Sequence, residues 1–327
     1  MEFQREKTLV RAYHAALYSA DWCAADQHVS PGRLRRGNHP FKEITGPEEV
    51  SERFWKPLHT SLTHLQRRED VFFAGRNEVD GFASTWVVSM GHLVGLFDAP
   101  WLGIPPTGRL AFLRYCSFLR VEDGRITYIA MYFDIPHLMV QAGLAPFHPS
   151  TGAQLVQPGP MTHDGILSGA HAVEQGERTL ALINAMVADL GTWNSDLPIE
   201  EELARTWADD MVWWGPTGIG ATYTIPRYAK QHAGPFRAAF SERTKTQHIA
   251  RLAEGHYGGF FGWPNFQARL TGPFQGHEPT GKIGEFRVID IYRRAGDKLA
   301  ENWVFIDMPH FWLSQGVAVL PEEAMAV

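Results

Sequence analysis

The sequence predicts an α+β fold built from two tandem copies of one domain, each a curved antiparallel sheet with helices in its concavity. Three observations predict it. The segment Gly103–Gly143 returns without a gap as Gly276–Gly316, so that Thr280 falls 173 residues after Thr107. Pro106/Pro279, Gly108/Gly281, Arg114/Arg287, Arg120/Arg293, Asp134/Asp307, Pro136/Pro309, His137/His310 and Gly143/Gly316 are identical on that offset. In both halves helical periodicity comes first and a run of strands follows, an order that suits an α+β domain. Asp123-Gly124 and Gly296-Asp297 mark the same tight hairpin turn between the last two strands of each half.

The repeat continues upstream with small shifts. Trp86 pairs with Trp263 at an offset of 177, and Gly37 with Gly215 and Pro57 with Pro235 at 178. The first copy therefore carries about four extra residues near Asp98–Trp101. A period this long exceeds the 20–50 residues of solenoid repeats and means two whole domains. They are expected at 1–147 and 177–327, with a Pro/Gly-rich linker at 148–176. The expected arrangement is an intrachain pseudo-dimer contacting through the outer sheet faces, with room for further homo-oligomerisation.

Lys7–Ala20 carries Leu9, Val10, Tyr13, Ala16 and Leu17 at helical spacing. A second short helix and a turn at Ser30-Pro31-Gly32 should follow, then a helix opened by Gly46-Pro47-Glu48-Glu49. Val71–Phe73, Phe82–Phe97, Arg109–Val121 and Arg125–Asp134 read as strands. The second half repeats the order with helices at Arg178–Leu190, Pro198–Ala208 and Ile225–Phe240, and a strand at Met211–Gly215. Asp134 and Asp307, each followed by Pro within a D-x-P-H run, read as helix N-caps.

Composition narrows the function. The 327 residues are 44% hydrophobic and 20% charged, with a net charge of −6 and no lysine or arginine cluster that would suit nucleic acid or an anionic membrane. The short run Arg33-Leu-Arg-Arg36 reads as a solvated strand end. Cys23 and Cys116 form no metal spacing and no disulfide framework, which suits a reducing cytoplasm. The charged start MEFQREK leads into a helix, and no apolar run is long enough to span a membrane. Gly276–Lys282 matches the spacing of a phosphate loop, but Ile283 stands where the magnesium-binding hydroxyl belongs and a strand follows. No cofactor or metal is expected.

The PPTG turn leading into a strand, the R-x-x-DG-R-I hairpin, the D-x-P-H start of a short helix and Gly91-His-Leu-Val-Gly95 together resemble the SnoaL-like polyketide cyclases. These belong to the nuclear-transport-factor-two-like superfamily of cone-shaped α+β barrels. The resemblance covers nearly all of both halves. It implies a pocket inside the cone, with a histidine on the strand after the TG turn and an acid/base aspartate on the next strand. Those positions hold Asp290 and Val304 in the second half, and Ser117 and Met131 in the first. Neither half keeps the pair, which argues against a standard aldol cyclisation.

Asp290 shares a strand face with Phe286, Val288 and Tyr292, an apolar setting that should raise its pKa towards that of a neutral-pH base. Asn302, on the matching face of the next strand, could donate to a developing oxyanion. Asp290 and Asn302 are thus the catalytic candidates. Arg269, Trp263, Trp214, Tyr292 and His92 are the substrate-binding candidates, the aromatic residues suiting a hydrophobic small-molecule ligand. An alternative role for Asp290 is structural, paired with an arginine such as Arg269. The expected function is cofactor-independent acid/base catalysis of the cyclase or isomerase type. The alternatives are epoxide-hydrolase-like or dehydratase-like chemistry, and non-catalytic binding of a small molecule.

Overall fold

The computed structural model describes residues 2–190, 197–245, 247–322 and 324. The chain divides into two compact units. The first holds the N-terminal segment through Pro146, Met161–Ala170 and the tail from Ala318; the second holds Phe147–Pro160 and His171–Val317.

In the first unit, helices α1 (Gln4–Tyr18) and α2 (Trp22–Gln27) come first. Helix α1 buries Val10, Tyr13, Ala16 and Leu17, the stripe its periodicity predicts. Strand β1 (Val29–Gly37) follows directly. The Ser30-Pro31-Gly32 turn proves to be an irregularity inside this strand, where its register shifts between Val29 and Leu34. Strand β2 (Glu43–Thr45) and helix α3 (Pro47–Val50) lead into a π turn at Ser51–Trp55 and helix α4 (Lys56–Ser61). Pro57 explains the π turn. Its ring would meet the carbonyl four residues back in a regular helix, and the wider turn removes that clash. Strands β3 (Leu62–Arg76), β4 (Thr85–Phe97), β5 (Leu110–Glu122) and β6 (Arg125–Phe133) and helix α5 (Ile135–Gln141) complete the unit.

The sheet order is β2-β1-β6-β5-β4-β3. It is mixed and not purely antiparallel, because β1 pairs parallel with β6. Alternation sorts the side chains. Val87 and Leu93 on β4, Leu113, Tyr115 and Leu119 on β5, and Ile129, Met131 and Phe133 on β6 join one core with the helices. Gly91 lies where β3 and β4 approach most closely; a Cβ there would meet the Arg68 carbonyl oxygen at 1.9 Å.

The second unit opens with helices α6 (Val173–Leu190) and α7 (Ile199–Leu203), strands β7 (Trp207–Trp214) and β8 (Ala221–Tyr223), and helix α8 (Ile225–Tyr228). A π turn at Ala229–Ala233 precedes helix α9 (Gly234–Ala239), again just before a proline, Pro235. The long strands of the first unit appear here in pieces. They are β9 (Phe240–Lys245), β10 (His248–Glu254), β11 (Tyr257–Gly262), β12 (Phe266–Leu270), β13 (Ile283–Phe286) and β14 (Val288–Ala295), followed by β15 (Lys298–Ile306) and helix α10 (Met308–Gln315). They form a six-stranded sheet, β10-β11-β14-β15-β7-β8, and a separate three-stranded sheet, β13-β12-β9. The break between β11 and β12 falls at Trp263-Pro264, where proline has no N–H for the ladder. Asn265 bridges the break: its side-chain oxygen accepts from the Val288 N–H at 2.8 Å.

The repeat is visible in local chemistry. Thr107 and Thr280 each accept, through the side-chain oxygen, the N–H two residues on at 3.2 Å, and the intervening Gly108 and Gly281 have φ of +61° and +69°. Asp134 and Asp307 cap α5 and α10 by accepting the N–H of His137 and His310 at 3.1 and 3.2 Å. Cys116 is buried, Cys23 is exposed, and neither forms a disulfide.

The C-terminal tail completes the first unit's core, since Leu320 is 5% exposed and Ala324 fully buried within it. Leu320→Ala should therefore cost about 2–4 kcal/mol of the first unit's stability. Denaturant unfolding should show the loss as an earlier transition for that unit, with the second unit's transition unmoved.

Candidate active site

The second unit brings Asp290, Asn302 and Tyr292 together on the sheet face that its helices cover. Asp290 lies mid-strand in β14 opposite Val304 of β15, with Tyr292 and Asn302 forming the next pair on the same face. Asn302 Nδ2 donates to Asp290 Oδ1 at 3.1 Å and to the Ile291 carbonyl at 3.0 Å. Both amide hydrogens are thereby used. Asn302 holds the carboxylate in place, and its N–H groups are not free for an oxyanion as the sequence suggested.

Asp290 is 8% exposed, and burial pushes its carboxyl up to about 7, against the downward pull of hydrogen bonds from Asn302 and Tyr292. Burial, with the neighbouring Asp290 charge, also holds the Tyr228 and Tyr292 phenols above their ordinary range. They stay protonated at neutral pH, and Tyr292 donates to the Asp290 carboxylate. Tyr228 comes from α8, which places a second hydroxyl over the strand that carries Asp290.

The surroundings are aromatic. Trp207 packs against Tyr228 and Tyr292 with ring centroids 6.4 and 5.9 Å apart. Trp213 stacks on His232 at 4.0 Å, and His248 stacks on Phe260 at 4.0 Å. Burial drives His232 down to about 3, so it is neutral and serves as an aromatic plate. Among the described residues no group of three His, Cys, Asp or Glu side chains is arranged to hold a metal ion.

The other expected site residues lie elsewhere. Arg269 sits on β12 in the three-stranded sheet, where its guanidinium is bound to Glu242 by two bonds of 2.8 and 2.9 Å. It neither lines the Asp290 site nor neutralises Asp290, because the break at Pro264 carries β12 out of the main sheet. Trp263 lies at that break under the Arg287 guanidinium, 3.8 Å from the ring centroid. Trp214 follows Trp213 on β7, so by alternation it faces away from His232 and Tyr228. His92 belongs to the first unit, on the face of β4 opposite to Leu93, with Nδ1 3.4 Å from Asp70.

Tyr228, His232 and Trp207 were not anticipated. A signal for Tyr228 existed: it is the counterpart of the apolar Val50 at the 178-residue offset. The run Arg33–Arg36 was also misjudged. Arg33 and Arg35 are 1% exposed and point inward, and Arg36 alone reaches the surface, paired with Glu43 at 2.6 Å. The first unit's cavity is lined by Tyr13, His14, Arg35, Trp55, Ser117 and Met131, among others.

Residues 7–142 match the family described as SnoaL-like polyketide cyclase. A protein from Jannaschia sp. CCS1 assigned to the SnoaL-like polyketide cyclases is 19% identical, over 45% of this chain and 96% of its own, with a TM-score of 0.38. An NTF2-like protein from Burkholderia thailandensis E264 is 18% identical, over 42% of this chain and 97% of its own, with a TM-score of 0.34. AclR from Streptomyces galilaeus, assigned as a hydroxylase, is 17% identical over 46% and 91%, with a TM-score of 0.38. No curated protein matches the chain. No helix among the described residues is long and apolar enough to cross a membrane.

The buried carboxyl makes stability depend on pH. Unfolded, Asp290 titrates near 3.8; folded, near 7. Between those values the folded state holds a proton that the unfolded state has lost, so stability falls as pH rises from about 4 to about 7 and then levels off. Asp290→Asn removes this slope. The variant should melt several degrees above the parent at pH 8, at about 2–4 °C per kcal/mol for a domain of this size, and near the parent at pH 4. Equal melting temperatures at pH 8 would show that Asp290 ionises without strain.

Proposed function

We propose that this chain, whose first domain belongs to the SnoaL-like polyketide cyclase family, is a cofactor-independent acid/base enzyme working on a hydrophobic small molecule in its second domain. One observation carries the reading: a lone carboxyl, buried to a pKa of about 7 and fixed by Asn302, faces aromatic walls and the hydroxyl-bearing Tyr228. A base whose pKa matches the working pH combines a useful ionised fraction with real proton affinity.

The roles follow from the geometry. The ionised Asp290 takes a proton from a carbon next to a substrate carbonyl. The electron pair moves onto the carbonyl oxygen, and Tyr228, protonated throughout, is the donor positioned to stabilise that oxyanion. The carboxylic acid then returns the proton to another atom of the same substrate, which is an isomerisation and restores the carboxylate. Asn302 keeps the carboxylate rotamer through both steps. Trp207, Trp213 and Phe260 exclude water and favour a flat, apolar substrate.

The test uses exchange, which needs no knowledge of the final product. The full chain in deuterated buffer should catalyse deuterium uptake at the carbon between the carbonyls of apolar β-keto esters. Asp290→Asn should lower that rate by roughly two or more orders of magnitude, with unchanged circular dichroism. Asp134→Asn, at the other repeated aspartate position type, should leave the rate within about twofold, because Asn still caps the helix. Full exchange activity in Asp290→Asn would overturn the assignment.

A further inference from the structure

We propose that the first domain holds a binding site for a small carboxylate, with Arg35 as its counter-ion. The site stands apart from the Asp290 chemistry and rests on no part of that reading. Arg35 is 1% exposed, and neither Nη1 nor Nη2 has a hydrogen-bond partner. It lines a cavity with Tyr13, His14, Ser117 and Met131. No acidic side chain among the described residues forms an ion pair with it. Its charged neighbours, Arg33 and Arg53, add positive charge. The Phe54 and Phe41 rings lie 4.0 and 5.8 Å from the guanidinium, which offsets part of the desolvation and offers no hydrogen bond.

An unpaired buried guanidinium is costly, and natural proteins pair such charges. Arg67, in the same domain, shows the usual solution: it bonds Tyr115 and Ser89 and lies 3.3 Å from Glu69. Arg35 has an opening in place of such partners. Two parallel N–H groups along one edge of a planar fork match the two oxygens of a carboxylate. Burial keeps His14 neutral, so it does not compete as a second cation. The remaining walls, Leu17, Trp55, Leu119, Ile129 and Met131, suit an apolar remainder. The open space admits about one water molecule, so the ligand is small, and unbranched Met131 is the wall residue best able to give way.

The full-length chain should be titrated with sodium formate and sodium acetate against sodium chloride at constant ionic strength. Melting temperature and calorimetric heat are the readouts. Formate or acetate should raise the melting temperature by several degrees, and chloride should not. Arg35→Met should abolish the response and fold at least as well as the parent, since it removes a buried charge. Arg35→Lys should bind about tenfold more weakly, because an ammonium cannot engage both oxygens; this variant also decides the matter if Arg35→Met fails to fold. Undiminished carboxylate binding in Arg35→Met or Arg35→Lys would overturn the proposal. So would a chloride response equal to the carboxylate response, or no response to either carboxylate, which would mean a cavity filled by water alone.

Discussion

Desolvated charge is the constraint that organises both domains. Each sheet turns one face towards its helices, and alternation dictates which positions look inward. In the second domain an acid occupies such a position without a cation among the causes of its shift, and burial alone lifts Asp290 to about 7. In the first domain a cation occupies another inward position without an acid, and burial lowers Arg35 to about 9. The equivalent residues are uncharged: Ser117 stands for Asp290, and Trp213 for Arg35. One backbone thus carries two opposite electrostatic solutions. An arginine within reach of Asp290 would return the acid to its ordinary range and cancel its use as a base.

The hydrogen bonds around Asp290 decide how that charge can act. Asn302 spends one N–H on Oδ1 and the other on the Ile291 carbonyl, so the amide is anchored to the strand it serves. That anchoring fixes the carboxyl orientation at the cost of Asn302 as a substrate ligand. In the proposed reaction the donor role falls to Tyr228, the last residue of α8, directly before the π turn that precedes Pro235.

The architecture was legible because it is written in backbone-determining residues. Gly108 and Gly281 adopt left-handed φ, Thr107 and Thr280 close the same turn, and Asp134 and Asp307 cap the same helix. Asp290, Tyr292 and Asn302 were legible by counting in twos along two strands. What failed was any inference that assumed an unbroken strand or a local signal. Arg269 was expected beside Asp290, but Pro264 detaches its strand from the sheet. The inward pair Arg33 and Arg35 was hidden by Ser30-Pro31-Gly32, which looks like a turn and is a register shift. Strand β1 is fixed by parallel pairing with β6, about a hundred residues away in sequence, and no short-range pattern announces such a partner.

Identity and difference between the two halves therefore carry separate information. The glycines, prolines and aspartates kept at the 173-residue offset sit at turns and helix caps, where φ, a capping oxygen or a missing N–H decides the fold. Several residues that face the interiors have changed, Ser117 against Asp290, Ile129 against Asn302, Val50 against Tyr228. Turns tolerate few residue types because their backbone geometry is demanding. An interior position accepts any side chain that fills the space and settles its polar atoms. In the second domain the Asn302 amide bonds the Asp290 carboxylate, Tyr292 donates to the same carboxylate, and the Tyr228 phenol lies within its electrostatic reach. A buried polar group stranded among apolar neighbours is destabilising, whereas groups that hydrogen-bond to one another can persist as a unit. Their joint placement is therefore a stronger indication of a working site than any one of them taken singly.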